Sequence, residues 1–310
     1  MHTAFISHPD CLLHDMGSFH PESPARLKAI EDALAASGLM DKLERHAAPM
    51  ATPAQVKRVH TSEHIALLDA IASRALSTGL AYLDPDTAMN RHSLKAAYRA
   101  AGAVILATDL VIGKKVKNAF CSVRPPGHHA ERDRAMGFCL LNNVAVGIAH
   151  AIEAHALQRI AVVDFDVHHG NGTEDIFSDD PRVMMVSTFQ HPFYPYSGVE
   201  GRSERMVNIP LAAGSNSQVF RKVVNEFWLP SLEKFKPQML FISAGFDAHR
   251  DDDLASLNLT EDDYAWVTER ITDVARRYAD DRIVSSLEGG YALSALGRSV
   301  AAHVKVLIDS

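Results

Sequence analysis

The chain has 310 residues, 47% of them hydrophobic, which is enough apolar side chain for a full core. Its formal net charge of -7 speaks against a broad nucleic-acid surface, which needs a basic excess, but leaves a cationic substrate open. The three cysteines, Cys11, Cys121 and Cys139, form no Cys-x-x-Cys pair and fit a reducing cytoplasm better than a disulfide scaffold. The N-terminus has no basic region followed by a long apolar run, so no signal peptide is expected, and no apolar run is long enough to span a bilayer. Residues 2–22 read as loop-like. Ser23 before Pro24 predicts an N-cap with proline at the first helical position, and Leu27, Ile30 and Leu34 recur at helical spacing up to Gly38. Thr52-Pro53 repeats that start. Ser62 begins a further helix, with Ile65, Leu68 and Ile71 on one face. Residues 77–90, with Asp84-Pro85-Asp86, read as a surface loop, and 92–112 as a long helix closed by Gly113.

From there the pattern changes. Short, nearly continuous apolar runs predict strands at 119–123, 160–163, 183–187, 206–209, 239–243 and 283–287. Helical patterns separate most of them, at about 142–155, 217–235 and 260–278 and at the C-terminus. Strand–helix alternation with apolar strands predicts an α/β fold, a single domain over 1–310 whose central parallel sheet carries helices on both faces.

The chemically loaded residues follow the predicted strands. The run 160–163 leads into Asp164, Asp166, His168 and His169, then a Gly170-Asn171-Gly172 turn signal. At alternate spacing Asp164, Asp166 and His168 point to one side of an extended chain. Buried charges must be paired or bound to metal, and Asp166 with His168 has the donor character of a catalytic zinc site. The other strand ends carry His128-His129, Phe193-Tyr194, Asp247 and Tyr291. Ligands of open α/β sheets bind outside the carboxyl ends of the strands, so these five ends are expected to converge.

Together these motifs resemble the histone deacetylase superfamily, which includes the acetylpolyamine amidohydrolases, on the arginase-deacetylase fold. The resemblance runs from His20-Pro21-Glu22-Ser23-Pro24 to Glu288-Gly289-Gly290-Tyr291. Arg124-Pro125-Pro126-Gly127-His128-His129 and His169-Gly170-Asn171-Gly172 look like the class II branch. The resemblance implies a zinc-dependent amidohydrolase that removes acetyl or other acyl groups, with Asp166, His168 and Asp247 as zinc ligands. His128 and His129 correspond to the tandem histidines, His129 being the general base, with Asp164 orienting His128 and Asn171 facing His129. Tyr291 corresponds to the phenol that donates to the oxyanion. Gly137, Phe138, Tyr194, Leu254 and Gly289 are expected around the substrate channel. A structural potassium ion is implied at Asp164, Asp166, His168, Ser187 and Thr188, and a second potassium loop at Phe177, Asp180 and Val183.

The expected substrate is an acylated lysine peptide or a small acylated amine, with no nucleic-acid or membrane partner and a cytoplasmic location. An acetylpolyamine amidohydrolase is the alternative. Leu254 stands where polyamine-selective relatives carry an acid, while Asp251, Asp252 and Asp253 keep that reading open. An arginase-like two-manganese site needs a second Asp-x-Asp, and Asp247-Ala248-His249 falls short of it. A non-hydrolysing acyl-binding module predicts loss of a ligand, a histidine or the phenol, and all are present. The run Arg250-Asp251-Asp252-Asp253 reads as a solvated face, and His20, His60, His150 and His191 as ordinary histidines.

Overall fold

In chain order the strands are β1 (Thr3–Ser7), β2 (Leu43–Ala47), β3 (Leu80–Tyr82), β4 (Ala88–Asn90), β5 (Asn118–Cys121), β6 (Ile160–Asp164), β7 (Val183–Gln190), β8 (Met206–Leu211), β9 (Met239–Ala244) and β10 (Ile283–Leu287). The computed structural model describes residues 1–200 and 203–310. Eight strands form one sheet in the order β2-β1-β5-β10-β9-β6-β7-β8, and every pairing in it is parallel. The five central strands β5, β10, β9, β6 and β7 are buried along their whole length, which explains their apolar composition.

Helices cover the sheet in two groups. Ser93–Ile112 packs on Asn143–His155, and Leu293–Asp309 packs on both Glu261–Tyr278 and Ala25–Ala36. The caps follow local chemistry. Thr52 and Thr260 form capping boxes with Gln55 and Asp263, and the Asn142 side chain accepts from the Ala145 N–H.

The structure departs from the sequence expectations in four places. The loop-like start contains β1, which is buried between β2 and β5. The loop at 77–90 is a hairpin of β3 and β4, closed around Asp84-Pro85-Asp86, with the Asp84 carboxylate accepting from the N–H groups of Asp86 and Thr87. Gly170-Asn171-Gly172 opens a helix, Asn171–Phe177, instead of a free turn. Ser23 does not cap the first helix with its side chain; Pro24 takes the cap position, and the Ser23 carbonyl accepts from Arg26 N–H.

Candidate active site

Because the sheet is parallel, the carboxyl ends of β5, β10, β9, β6 and β7 lie along one rim as neighbours. Asp164 closes β6, and Asp166 and His168 follow it; Asp247 follows β9, His128-His129 follow β5, Tyr291 follows β10 and Phe193-Tyr194 follow β7. The rim therefore brings together the residues that the sequence scatters over more than 160 positions.

Asp166, His168 and Asp247 offer three ligand atoms within 4.8 Å of one another. His168 Nδ1 lies 3.0 Å from Asp166 Oδ1 and 3.3 Å from Asp247 Oδ2. Backbone N–H groups hold the carboxylates: Asp166 Oδ2 accepts from Gly289 at 2.8 Å, Asp166 Oδ1 from His168 at 2.8 Å, and Asp247 Oδ1 from Val167 at 2.9 Å. Asp247 Oδ2 is buried, and among the described residues it has only the His168 ring nitrogen at 3.3 Å as a polar neighbour, too poorly aligned to make a hydrogen bond. Burial, then the neighbouring Asp166 carboxylate, raise Asp247 to about 6. Burial works to lower His168, but the Asp166 and Asp247 carboxylates beside its ring overcome that and raise it to about 9, so the pair favours positive charge at this point. A buried carboxylate oxygen without a well-aligned donor and a two-carboxylate, one-imidazole donor set fit a divalent cation such as zinc, with coordination left open for water and substrate.

The tandem histidines have different surroundings. His128 Nδ1 is 3.0 Å from Asp164 Oδ2, and its Nε2 is 3.8 Å from Asp166 Oδ2. Burial would lower its pKa, but Asp166 and Asp164 overcome that and push it up to about 10. His129 Nδ1 is 2.7 Å from the neutral Asn171 Oδ1. Burial, then the nearby His128 and His168, hold its pKa well below the ordinary value, so it stays neutral. The Asn171 amide is fixed from behind, because its Nδ2 donates to Glu131 Oε1 at 2.7 Å. Glu131 has no signature in the sequence; it and Asn171 are 40 positions apart, and no local signal links them.

Above these groups lies a cavity of about 210 Å³. It runs from the exposed Asp86 and Leu254 to the buried His129, with Phe138, Phe193 and Tyr194 among its walls. Phe193 stacks on His168 with ring centroids 5.5 Å apart, and Tyr194 stands edge-on to His129 at 5.3 Å. Phe138 has φ +69 and stands edge-on to Tyr291, and its N–H donates to Thr87 Oγ1 at 3.1 Å. Gly137 makes this approach possible, since a Cβ there would lie 2.5 Å from His129 Cδ2. Tyr291 lines the cavity, and burial, followed by the Asp247 carboxylate, holds its phenol protonated.

Several expectations need correction. Gly289 is not among the residues lining the cavity; it lies beneath the carboxylates, where a Cβ would come within 2.0 Å of Asp247 Oδ2. Asp252 is not part of a solvated face. It is buried, and its Oδ2 accepts from the N–H groups of Tyr291 at 2.6 Å and Ala292 at 3.0 Å. Asp251 pairs with Arg298. His20 is half-buried: its ring stands edge-on to Phe138 at 4.7 Å, and its Nε2 lies 3.2 Å from the Asp86 carbonyl. His150 joins His155 around Asp109, each Nε2 2.7 Å from Asp109 Oδ1, with the Arg58 guanidinium against the His150 ring. Of the residues expected around potassium, Asp164 and Ser187 are paired across β6 and β7, Thr188 is buried beside them in β7, and Ser187 Oγ is buried without a partner.

Residues 20–307 match the family model described as "Histone deacetylase domain". The chain is 36% identical over 280 residues to the histone deacetylase-like amidohydrolase of Pseudomonas aeruginosa, covering 88% of this chain and 73% of that protein. It is also 36% identical over 353 residues to the type-2 histone deacetylase 2 of Dictyostelium discoideum, covering 99% of this chain but only 21% of that longer protein. Among solved structures it is similar to the HDA15 HD domain, with a TM-score of 0.91 and 33% identity, covering 100% of this chain and 90% of that one.

Proposed function

The chain belongs to the histone deacetylase family, a family of deacetylase hydrolases, and we propose that it cleaves a short acyl group from an amine carried on an unbranched aliphatic stem, with acyl-lysine as the substrate type. One observation carries this reading: Asp166, His168 and Asp247 come together at one rim with His129 against Asn171, His128 against Asp164 and Tyr291 lining the same cavity.

In this reading Asp166, His168 and Asp247 hold zinc, which when bound polarises the amide carbonyl and lowers the pKa of a water. Phe138, Phe193 and Tyr194 grip the stem and exclude water from it. His129, with Nδ1 engaged by Asn171, keeps Nε2 free to take a proton from the attacking water and return it to the departing amine. His128, held charged by Asp166 and Asp164, adds positive potential where the carbonyl oxygen becomes negative. Tyr291 donates its phenol proton to that oxygen. Asp164, Asp166, His168, Ser187 and Thr188 would hold a potassium ion, several of them through backbone carbonyls, a role supported by the buried Ser187 Oγ, which has no partner among the described residues.

The exposed Asp86 carboxylate at the cavity favours a second reading, an acetylated polyamine whose remote ammonium it would attract. Asp251 and Asp252 add little to that reading, since each is already engaged. The deciding experiment compares kcat/KM for acetyl-lysine peptides, longer acyl-lysine peptides and acetylpolyamines. Acetyl-lysine peptides are expected to lead. A preference of tenfold or more for acetylpolyamines would move the assignment to the second reading, and no turnover of any acyl amine by the zinc-loaded protein would end both.

A further inference from the structure

The resemblance implied a second potassium ion held by the turn that contains Phe177, Asp180 and Val183, and the structure fills that turn differently. Arg205, just before β8, lays its guanidinium over the backbone of this turn. Its Nη1 donates to the Asp180 carbonyl at 2.6 Å and reaches the Val183 carbonyl at 3.5 Å, while Nη2 donates to the Ser178 carbonyl at 3.1 Å. Several backbone carbonyls turned toward one positive charge is the arrangement that replaces the hydration shell of a potassium ion.

We propose that the Arg205 guanidinium takes the place of the second cation in this chain, so that the turn 177–183 is held by a tethered charge and binds no potassium. The chemistry of the group suits the role. A guanidinium keeps its charge at every accessible pH and presents its donors in a fixed fork. The Asp180 carboxylate does not compete for it, because Arg182 engages both its oxygens, Nε at 2.9 Å and Nη2 at 2.7 Å. That leaves the carbonyls as the partners of Arg205. A metal ion on the same carbonyls would sit against a like charge, which disfavours it.

The location gives the substitution a consequence. The turn joins the helix Asn171–Phe177, whose first residue holds His129, to β7. Arg205 also accepts at its own carbonyl from Met185 N–H at 2.8 Å, which ties the turn to the pairing of β7 with β8. The end of the helix is thus secured by the chain itself, and any dependence on potassium falls to the inner site alone.

The test needs no substrate, so its outcome is separate from that of the proposed function. Zinc-loaded wild type, Arg205→Ala and Arg205→Lys are melted in potassium chloride and in choline chloride at equal ionic strength, and crystals are grown in rubidium chloride for anomalous scattering. The inner site contributes equally to all three chains. In choline Arg205→Ala is expected to melt several degrees below wild type and to regain most of that loss in potassium. A rubidium peak should then appear among the Ser178, Asp180 and Val183 carbonyls. Wild type and Arg205→Lys, whose ammonium still supplies a charge, should show no peak there. A rubidium peak at those carbonyls in wild type would overturn the proposal, as would an Arg205→Ala chain that responds to potassium no more than wild type. If Arg205→Ala folds in neither salt, Arg205→Lys decides: a peak at the turn overturns the substitution, and a clean turn supports it.

Discussion

His128 and His129 are adjacent in the chain, with ring centroids 4.0 Å apart, yet a carboxylate faces one and an amide the other. That single difference gives the pair an acid–base division. Asn171→Asp tests it, because an anion beside Nδ1 favours imidazolium and raises the pKa of His129. If His129 is the base of the proposed mechanism it must be unprotonated in the free enzyme, so the acidic limb of kcat/KM against pH should move to higher pH. A limb that stays in place, or moves to lower pH, would separate His129 from Asn171 or from the role of base. Glu131 belongs to the same chain of contacts. A carboxylate can only accept, so it keeps the Asn171 Nδ2 turned toward itself and Oδ1 turned toward His129. Tyr291→Phe removes one hydroxyl and leaves the ring against Phe138. Its turnover should fall by about 10²–10³, the usual cost of one oxyanion donor, with zinc content unchanged by elemental analysis. Turnover within a few-fold of wild type would show that the hydroxyl points away from the reaction.

At the scale of elements, the site is a property of strand ends that glycine lets come close. Gly245 and Gly289 follow β9 and β10, and a Cβ at either would lie 2.0 Å from a carboxylate oxygen, of Asp166 or of Asp247 respectively. Gly289→Ala should therefore leave the sheet intact by circular dichroism while the zinc content drops well below one per chain. Full zinc content in that variant would mean the rim can move aside. The five central strands were legible because burial on both faces demands continuous apolar runs, and their chemistry stood in sequence just beyond them. β2 was not legible, since Leu43-Glu44-Arg45-His46-Ala47 is an edge strand with one buried position. β1 was hidden because only Ala4-Phe5-Ile6 are apolar in it, between Thr3 and the polar Ser7-His8-Pro9, and β3 and β4 by having three residues each around a turn signal. Asp252 misled because its neighbours are solvated, while the N–H groups that bury it lie 39 and 40 positions away. Arg205 had no local signal either, as carbonyl partners leave no trace in side-chain sequence.

For the molecule as a whole, the informative titration lies away from the rim. His303 is buried where the last helix meets β10 and the helix Glu261–Tyr278. Its Nδ1 lies 2.7 Å from Thr268 Oγ1 and its Nε2 2.9 Å from Ser285 Oγ, with the rings of Phe120, Phe165 and Phe246 around it. No charged group joins these contacts, and burial alone lowers its pKa from 6.5 to about 3. His60, behind the Glu131 carbonyl and the Asn142 N–H, is lowered to about 3 by burial and then by His64. Between these folded values and 6.5 the unfolded chain binds protons that the native chain does not, so stability falls as pH falls through that window. Each histidine contributes a slope of up to about 1.4 kcal/mol per pH unit there and nothing above about pH 7. His303→Gln removes the titration while keeping a donor and an acceptor for Thr268 and Ser285. Urea unfolding of wild type and variant at pH 7.5, 6.0 and 5.0, both zinc-saturated, isolates the effect, because the rim carboxylates and histidines are common to the two chains. Whatever the variant loses at pH 7.5, the gap between the chains should close as pH falls toward 5. A gap independent of pH would show that His303 is not held neutral in the fold.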